Sequence, residues 1–308
     1  MIGALARRGL LSALVLWAVV TLTFGILRFI PGGPFDSDKA LPADVLRNVE
    51  RAYHLDESLA RQYVRYWRGL LRGDLGPSYK YRTRDVRAIL ADTFPVSAAL
   101  GALAFCLAVG GGIGLGALAA LGRGGPGDRA LMLVATAGVS VPSFVLGALL
   151  VYGVGLRLGW LPVARLEGPS SLVLPALTLA AAPTAYLARL ARAAFLDVLG
   201  EDFIRAARAK GVGPVGILAK HALKNAMIPL LSVMGPLLAA LLTGSFVVEQ
   251  IFALPGMGRY FITAVTNRDY PLVMGVTLVY SVLLIVANGM VDVAYLAVDP
   301  RIRAKARS

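Results

Sequence analysis

Six apolar runs alternate with polar, charge-bearing stretches along the chain. Gly9 to Ile30 follows Arg7 and Arg8 and holds one charge, Arg28, near its far end, where a long side chain can snorkel toward the interface. Val96 to Leu121 and Ala130 to Leu156 hold none, and Leu172 to Ala188 is the shortest run, with Pro175 and Pro183 inside it and Arg189 and Arg192 marking its end. Ala226 to Val248 carries Pro229, Gly235 and Pro236 as expected breaks, and Leu272 to Val291 is the last run. A helix needs about 20 apolar residues to cross a bilayer, so this pattern predicts an all-α polytopic membrane protein with six transmembrane helices. A cleaved signal peptide also starts with charge, but its apolar core is only ~7–15 residues and a small-residue cleavage site follows; the first run is therefore read as a retained helix with the N-terminus in the cytoplasm.

The stretches between the runs divide the chain further. Residues 1–30 are the N-terminus and first helix, 31–95 an extracytoplasmic segment, 96–298 a membrane core with the other five helices and 299–308 a basic tail. Pro31-Gly32-Gly33-Pro34 ends the first helix. In the outer segment Leu46, Val49 and Tyr53, then Leu59, Tyr63, Tyr66, Trp67 and Leu70, recur at helical spacing and predict one or two amphipathic helices, lying on the membrane or capping the outer mouth. Gly110, Gly111, Gly112, Gly114 and Gly116 imitate a dinucleotide fingerprint. No strand and helix alternation surrounds them, and four-residue spacing between small residues is a signature of close helix packing. Ser140-Val141-Pro142-Ser143 predicts a kink in the third run, which either lines a solute path or is a packing feature. Glu249 sits among apolar residues near the outer boundary and needs a partner, with Arg259, Arg268 or a peptide's amine as candidates.

A polar, basic stretch, Asp197 to Pro229, follows the fourth run. Asp197, Glu201 and Asp202 come early and Arg205, Arg208 and Lys210 late, which suits the dipole of a short helix and places Glu201 four residues before Arg205. Gly211, Gly213 and Pro214 break it, and a second short helix is expected over Val215 to Met227 with Lys220 and Lys224 one turn apart. Such a hairpin is a positive loop that fixes orientation, a DNA-reading element, or a dock for a cytoplasmic protein; bilayer-length apolar runs on both sides argue against DNA.

Composition bears on these choices. The chain has 308 residues, of which 57% are hydrophobic, and its mean hydropathy is +0.70, too apolar for a soluble domain of this length. The net charge of +13 lies in loops and tails beside apolar runs, where membrane orientation and anionic headgroups account for it without nucleic acid. Cys106 is the single cysteine and His54 and His221 the two histidines, too few and too separated for a disulfide or a zinc pair. No GxxxxGK[ST] phosphate loop and no Ser, His and acid set is present, so no catalytic residue, metal ligand or resident cofactor is expected.

Arg205-Ala206-Ala207, three residues, then Gly211 resembles the EAA loop of ABC importer membrane subunits. Lys220-His221-Ala222-Leu223-Lys224-Asn225-Ala226-Met227-Ile228-Pro229 is similar to the form of that loop in the dipeptide, oligopeptide and nickel permease branch. Arg205 stands where many members have Glu and Lys224 where many have Pro, both usual in this branch. Tyr53-His54-Leu55-Asp56, Gly69 to Gly76, Gly159-Trp160-Leu161-Pro162, Gly244 to Arg259 and the closing Asp299-Pro300-Arg301-Ile302-Arg303 extend the resemblance over nearly the whole chain. It implies a multi-pass protein of the bacterial cytoplasmic (inner) membrane with both termini cytoplasmic. The implied partners are a second permease subunit, two ATPase subunits or domains that carry ATP and Mg, an extracytoplasmic solute-binding protein and membrane lipid. It also assigns coupling to the ATPase to Arg205, Ala206, Ala207, Arg208, Gly211, His221 and Asn225. Ser140, Pro142, Ser143 and Glu249 are the candidates for the translocation path. The branch includes carriers of dipeptides, longer peptides and nickel. The alternative, an ion-driven secondary transporter, calls for mid-span ionisable residues or paired interrupted helices, which the sequence lacks.

Overall fold

Inside hydrocarbon a chain must satisfy its own backbone polar groups, and the apolar runs do so as helices. The computed structural model describes residues 2–30, 32–35, 42–81 and 83–298; Pro31 and the basic tail from Asp299, with Lys305 and Arg307, lie outside the described residues. Among the described residues there is no strand, only an isolated bridge between Pro77 and Asp85. Five helices are long and apolar enough to cross a membrane, and a bent pair counted as one span makes six. The protein is all-α and polytopic.

The helices in chain order are α1 (Ile2–Phe29), α2 (Ala43–Ala52), α3 (Leu59–Leu71), α4 (Val86–Leu121), α5 (Pro126–Ser140), α6 (Ser143–Leu150), α7 (Val173–Leu199) and α8 (Asp202–Ala209). A short α9 (Pro214–Gly216) runs through a π-helical stretch, Ile217–Ala222, into α10 (Leu223–Leu242), and α11 (Phe246–Ile251), α12 (Met257–Thr266) and α13 (Tyr270–Val298) follow. The chain divides into two units, Ile2–Val96 with Gly256–Val282, and Ser97–Pro255 with the chain from Leu283 on.

In the unit of Ile2–Val96 and Gly256–Val282, Val20, Phe24 and Leu27 of α1 join Val86, Ile89, Leu90, Leu272 and Val276 in a buried core. The two predicted amphipathic helices are α2 and α3. Tyr63, Tyr66, Trp67 and Leu70, all partly buried, pack α3 against this core, while Leu59, Val64 and Leu71 of the same helix are exposed. Buried Asp269 ties the unit together: as the residue before α13 it accepts from the amide of Leu272 at 3.3 Å. It also accepts from the amide of Tyr79 at 3.1 Å and from the Ser78 hydroxyl. Burial pushes the Tyr79 phenol up to about 12.

In the other unit α7 packs against α5, α6, α10 and α11. Ala176, Ala180, Ala185, Ala188, Ala191 and Ala194 of α7 are all buried, a small-residue surface that lets neighbouring backbones come close. Gly112 and Gly116 of α4 use it: a Cβ at Gly116 would stand 2.6 Å from the Ala188 carbonyl and 2.6 Å from the Ala191 Cβ. Gly110 and Gly114, the other pair at the same spacing, face open space.

Several boundaries differ from those read in the sequence. α4 begins at Val86 rather than Val96 and passes through Pro95, because buried Val86, Ile89 and Leu90 give it an apolar face before the proline. α7 runs past Arg189 and Arg192 to Leu199, held by buried Ala191, Ala194 and Phe195. α10 continues through Pro229 and Pro236, as prolines in packed membrane helices can, and the interruption falls at Gly244 instead. Arg28, near the end of α1, lies 3.5 Å over the Phe24 ring and donates to Gln62 Oε1 at 3.0 and 3.2 Å.

The contrast between the two glycine pairs is testable. Gly116→Val is expected to destabilise the protein in detergent by roughly 1–3 kcal/mol, the usual result of overpacking, and Gly114→Val to leave its thermal unfolding nearly unchanged.

Candidate functional site

α7 ends at Gly200, where the Gly200 amide donates to Asp197 O at 3.2 Å and the Glu201 amide to Val198 O at 3.1 Å. Glu201 has extended backbone angles and caps α8 from outside. Ile204 and Ala207, one turn apart, are buried on the inward face of α8, and Phe203, Arg205, Ala206 and Arg208 are exposed. Arg205 does not pair with Glu201 as its spacing suggested, since Glu201 lies outside the helix; its guanidinium is 3.2 Å from Asp202, an exposed pair that contributes little stability. Asp202 in the first turn and Arg208 in the last complement the helix dipole as expected.

The turn after α8 is built by the backbone. The Val212 amide donates to Ala207 O at 3.2 Å and the Gly211 amide to Arg208 O at 2.9 Å, the paired bonds of a Schellman motif. Gly211 sits at its left-handed position, φ +80°, which glycine adopts without the strain other residues meet there. Ala207 is inward, so the close approach it permits is to the hairpin's own second arm, and Arg205, Ala206, Arg208 and Gly211 form the outward side.

The second arm is not a separate short helix over Val215 to Met227. From Pro214 it is continuous with α10, because Ile217, Ala222 and Ala226 are buried in register with Leu230 and Leu231. Within it His221 is half-buried in the π-helical stretch, and Asn225, one turn on, is exposed, as are Lys220 and Lys224. α8 packs against this stretch. The π-helical winding left no mark in the residue pattern.

A second feature had no motif to announce it. Asp128, 3% exposed, accepts from Arg192 Nε at 2.6 Å and Arg192 Nη2 at 2.7 Å, and also from the Gly124 amide at 2.8 Å. This bidentate clasp joins the loop before α5 to α7, two turns short of the hairpin. Its signal in the sequence is a lone acid, Asp128, just before the uncharged run from Ala130.

The path candidates fall in two places. Val141 is extended (φ −85°, ψ 119°), as the residue before a proline prefers, and α5 and α6 bend by 103° around it. The expected kink is a complete break, and Ser140, Pro142 and Ser143 are exposed there. Glu249 is fully buried in the first turn of α11 and accepts from Ser97 Oγ at 2.7 Å, a partner absent from the expected list. Arg268 instead donates to Gly33 O at 3.4 Å. Trp160 is 72% exposed, in keeping with an interfacial position. Among the described residues no cluster of three His, Cys, Asp or Glu side chains occurs.

Residues 112–304, which contain the whole hairpin and both breaks, match the family described as binding-protein-dependent transport system inner membrane component. The chain belongs to this family. It is similar to the dipeptide transport system permease protein DppB of Bacillus subtilis, at 44% identity over 94% of each chain. It is also similar to the oligopeptide transport system permease protein OppB of Escherichia coli, at 42% identity over 98% of this chain and 100% of the relative. Among solved structures, an inward-facing MetNI methionine ABC transporter superposes with a TM-score of 0.55 at 19% identity, covering 68% of this chain and 96% of that one, a likeness of fold. The chain is thus a multi-pass inner-membrane permease subunit of the binding-protein-dependent class, and the ion-driven alternative falls away.

The clasp gives this permease a measurable signature. Asp128→Ala is expected to lower its melting temperature by several degrees, because it removes the bidentate partner of half-buried Arg192 and the acceptor of the Gly124 amide. Asp128→Ala with Arg192→Leu is expected to lower it less than the two single changes added together, as a double-mutant cycle on purified protein reads directly.

Proposed function

We propose that this permease is one of two membrane subunits of an ATP-driven importer of di- or oligopeptides. A second permease completes the path and an extracytoplasmic binding protein delivers the solute. ATP and Mg are held by two partner ATPase subunits or domains, and this chain binds no cofactor of its own. Peptide rather than nickel is supported by the names of the relatives, both peptide permeases over nearly full length. Both termini and the hairpin lie in the cytoplasm, a reading supported by the basic residues of the hairpin, of Arg123 and Arg129, and of the tail.

The observation that carries the coupling role is the outward face of α8. Arg205, Ala206 and Arg208 are offered to a partner, while Ile204 and Ala207 tether the same helix inward and the Schellman turn fixes its end. An ATPase groove seated on that face transmits its closure to α7 through Gly200 and to α10 through the continuous second arm, where His221 and Asn225 stand. The guanidinium groups of Arg205 and Arg208 supply polar contacts, and Ala206 lets the surfaces approach. Ser140, Pro142 and Ser143, exposed at the break between α5 and α6, are assigned to the path. Buried Glu249 acts from behind it, through Ser97 and the turn at Gly244.

Gly211→Val forces a β-branched residue into the left-handed region, a strain of about 1–2 kcal/mol that the turn relieves by opening. In the complete importer reconstituted in liposomes, we expect peptide uptake to fall about tenfold or more while ATP hydrolysis and recovery of all subunits on affinity purification persist. Normal uptake in that variant with normal assembly overturns the coupling role.

A further inference from the structure

Within the unit that holds α1 to α3 lies a solvent-accessible cavity of about 920 Å³ that the transport reading leaves unused. Its volume falls in the range of small-molecule sites, roughly 300–1,000 Å³. One wall is α3, where Arg61, Arg65, Arg68 and, at the C-cap, Arg72 recur at helical spacing and all line the cavity. Arg28 of α1 contributes a fifth guanidinium from below.

Little of this charge is neutralised. The cavity's two carboxylates are already engaged: Glu57 is paired with Arg65, and Asp74 accepts from the Gly76 amide at 2.8 Å. Among the described residues no carboxylate pairs with Arg28, Arg61, Arg68 or Arg72. The lining also holds a donor with nothing to donate to. The Tyr66 hydroxyl is buried and has no hydrogen-bond partner among the described residues, and burial pushes its phenol up to about 12, so it stays protonated. A buried donor left unsatisfied is an unstable arrangement unless something fills the site. Tyr63, Tyr66, Trp67 and Leu70 of the same helix pack against the protein core and hold the stripe in place.

We propose that this cavity binds an oxyanion carried on a partly apolar body, the chemistry shared by the C-terminal carboxylate of a peptide and the headgroup of an acidic phospholipid. Guanidinium forks match either oxyanion in bidentate fashion, and the aromatic walls at Tyr53, Tyr66 and Tyr79 accept the attached body. The peptide as source rests on the proposed transport function; the cavity and its preference for an oxyanion do not. The site gives the permease its own grip on the solute's charged end, separate from any selection made by a binding protein.

The test is direct binding to the purified full chain in phosphatidylcholine nanodiscs, with no ATPase or binding protein present. The probes are a fluorescently N-labelled tetra-alanine with a free carboxylate, the same peptide as its C-terminal amide, and soluble dihexanoyl-phosphatidylglycerol as competitor. The expected result is saturable binding of the acid at least about tenfold tighter than the amide, weakened about tenfold in an Arg61→Gln/Arg68→Gln variant and weakened in Tyr66→Phe. Both arginines are exposed, so the double variant tests charge with the fold intact. If the lipid binds and the acid peptide does not, with the same loss in the double variant, the oxyanion site stands and its ligand is the headgroup. Equal binding of acid and amide, unchanged binding in the double variant, or no binding by any probe overturns the proposal. Failure of the transport reading would appear in the liposome uptake assay and leave these binding results untouched.

Discussion

Helices in a bilayer gain no hydrophobic energy from leaving lipid for one another, so their association depends on how closely their backbones can approach. In this permease that approach is made along α7. Its alanine surface receives Gly112 and Gly116 of α4, and α5, α6 and α10 pack around the same helix. The helix that organises the packing is also the one that leads into the hairpin. Displacement of α8 therefore acts on the most tightly packed element of its unit.

Polar groups enter this apolar setting as fastenings. Asp128 with Arg192, Glu249 with Ser97, and Asp269 with Ser78 each join a buried acid to a side chain distant in sequence. Each stands at the end of a helix rather than mid-span: Asp128 and Glu249 in first turns, Asp269 just before one. There the dipole favours a carboxylate, and loop amides are near enough to share it. The acids thus fix where helices begin and which loops they hold, while the small residues decide how closely the middles lie.

Much of this was legible in the residues. The apolar runs gave the helix count, the spacing of Tyr63, Tyr66, Trp67 and Leu70 gave α3, and Gly211 gave the turn. What was not legible depended on partners. Pro229 and Pro236 read as breaks because a lone helix would suffer from them, yet both sit inside α10, and Pro95, where the outer segment was expected to end, lies inside α4. Glycines at identical spacing looked alike, and only the position of α7 separates Gly112 and Gly116 from Gly110 and Gly114. The π-helical stretch through His221 and the Asp128 clasp arise from register between segments, which no local pattern encodes. Glu249 was recognised as needing a partner, and Ser97, distant in sequence, is one that its neighbours along the chain did not suggest.

The hairpin reverses direction on two backbone bonds and one glycine, without drawing on the side chains of its outer surface. Arg205, Ala206 and Arg208 are consequently released from any architectural duty. Under the proposed coupling role, a lineage could rewrite them to change which ATPase a permease accepts, while the bend that holds them stays constant. On that proposal the fold is a standard socket with a variable key, and importers that share one membrane could keep their ATPases apart by these surface positions.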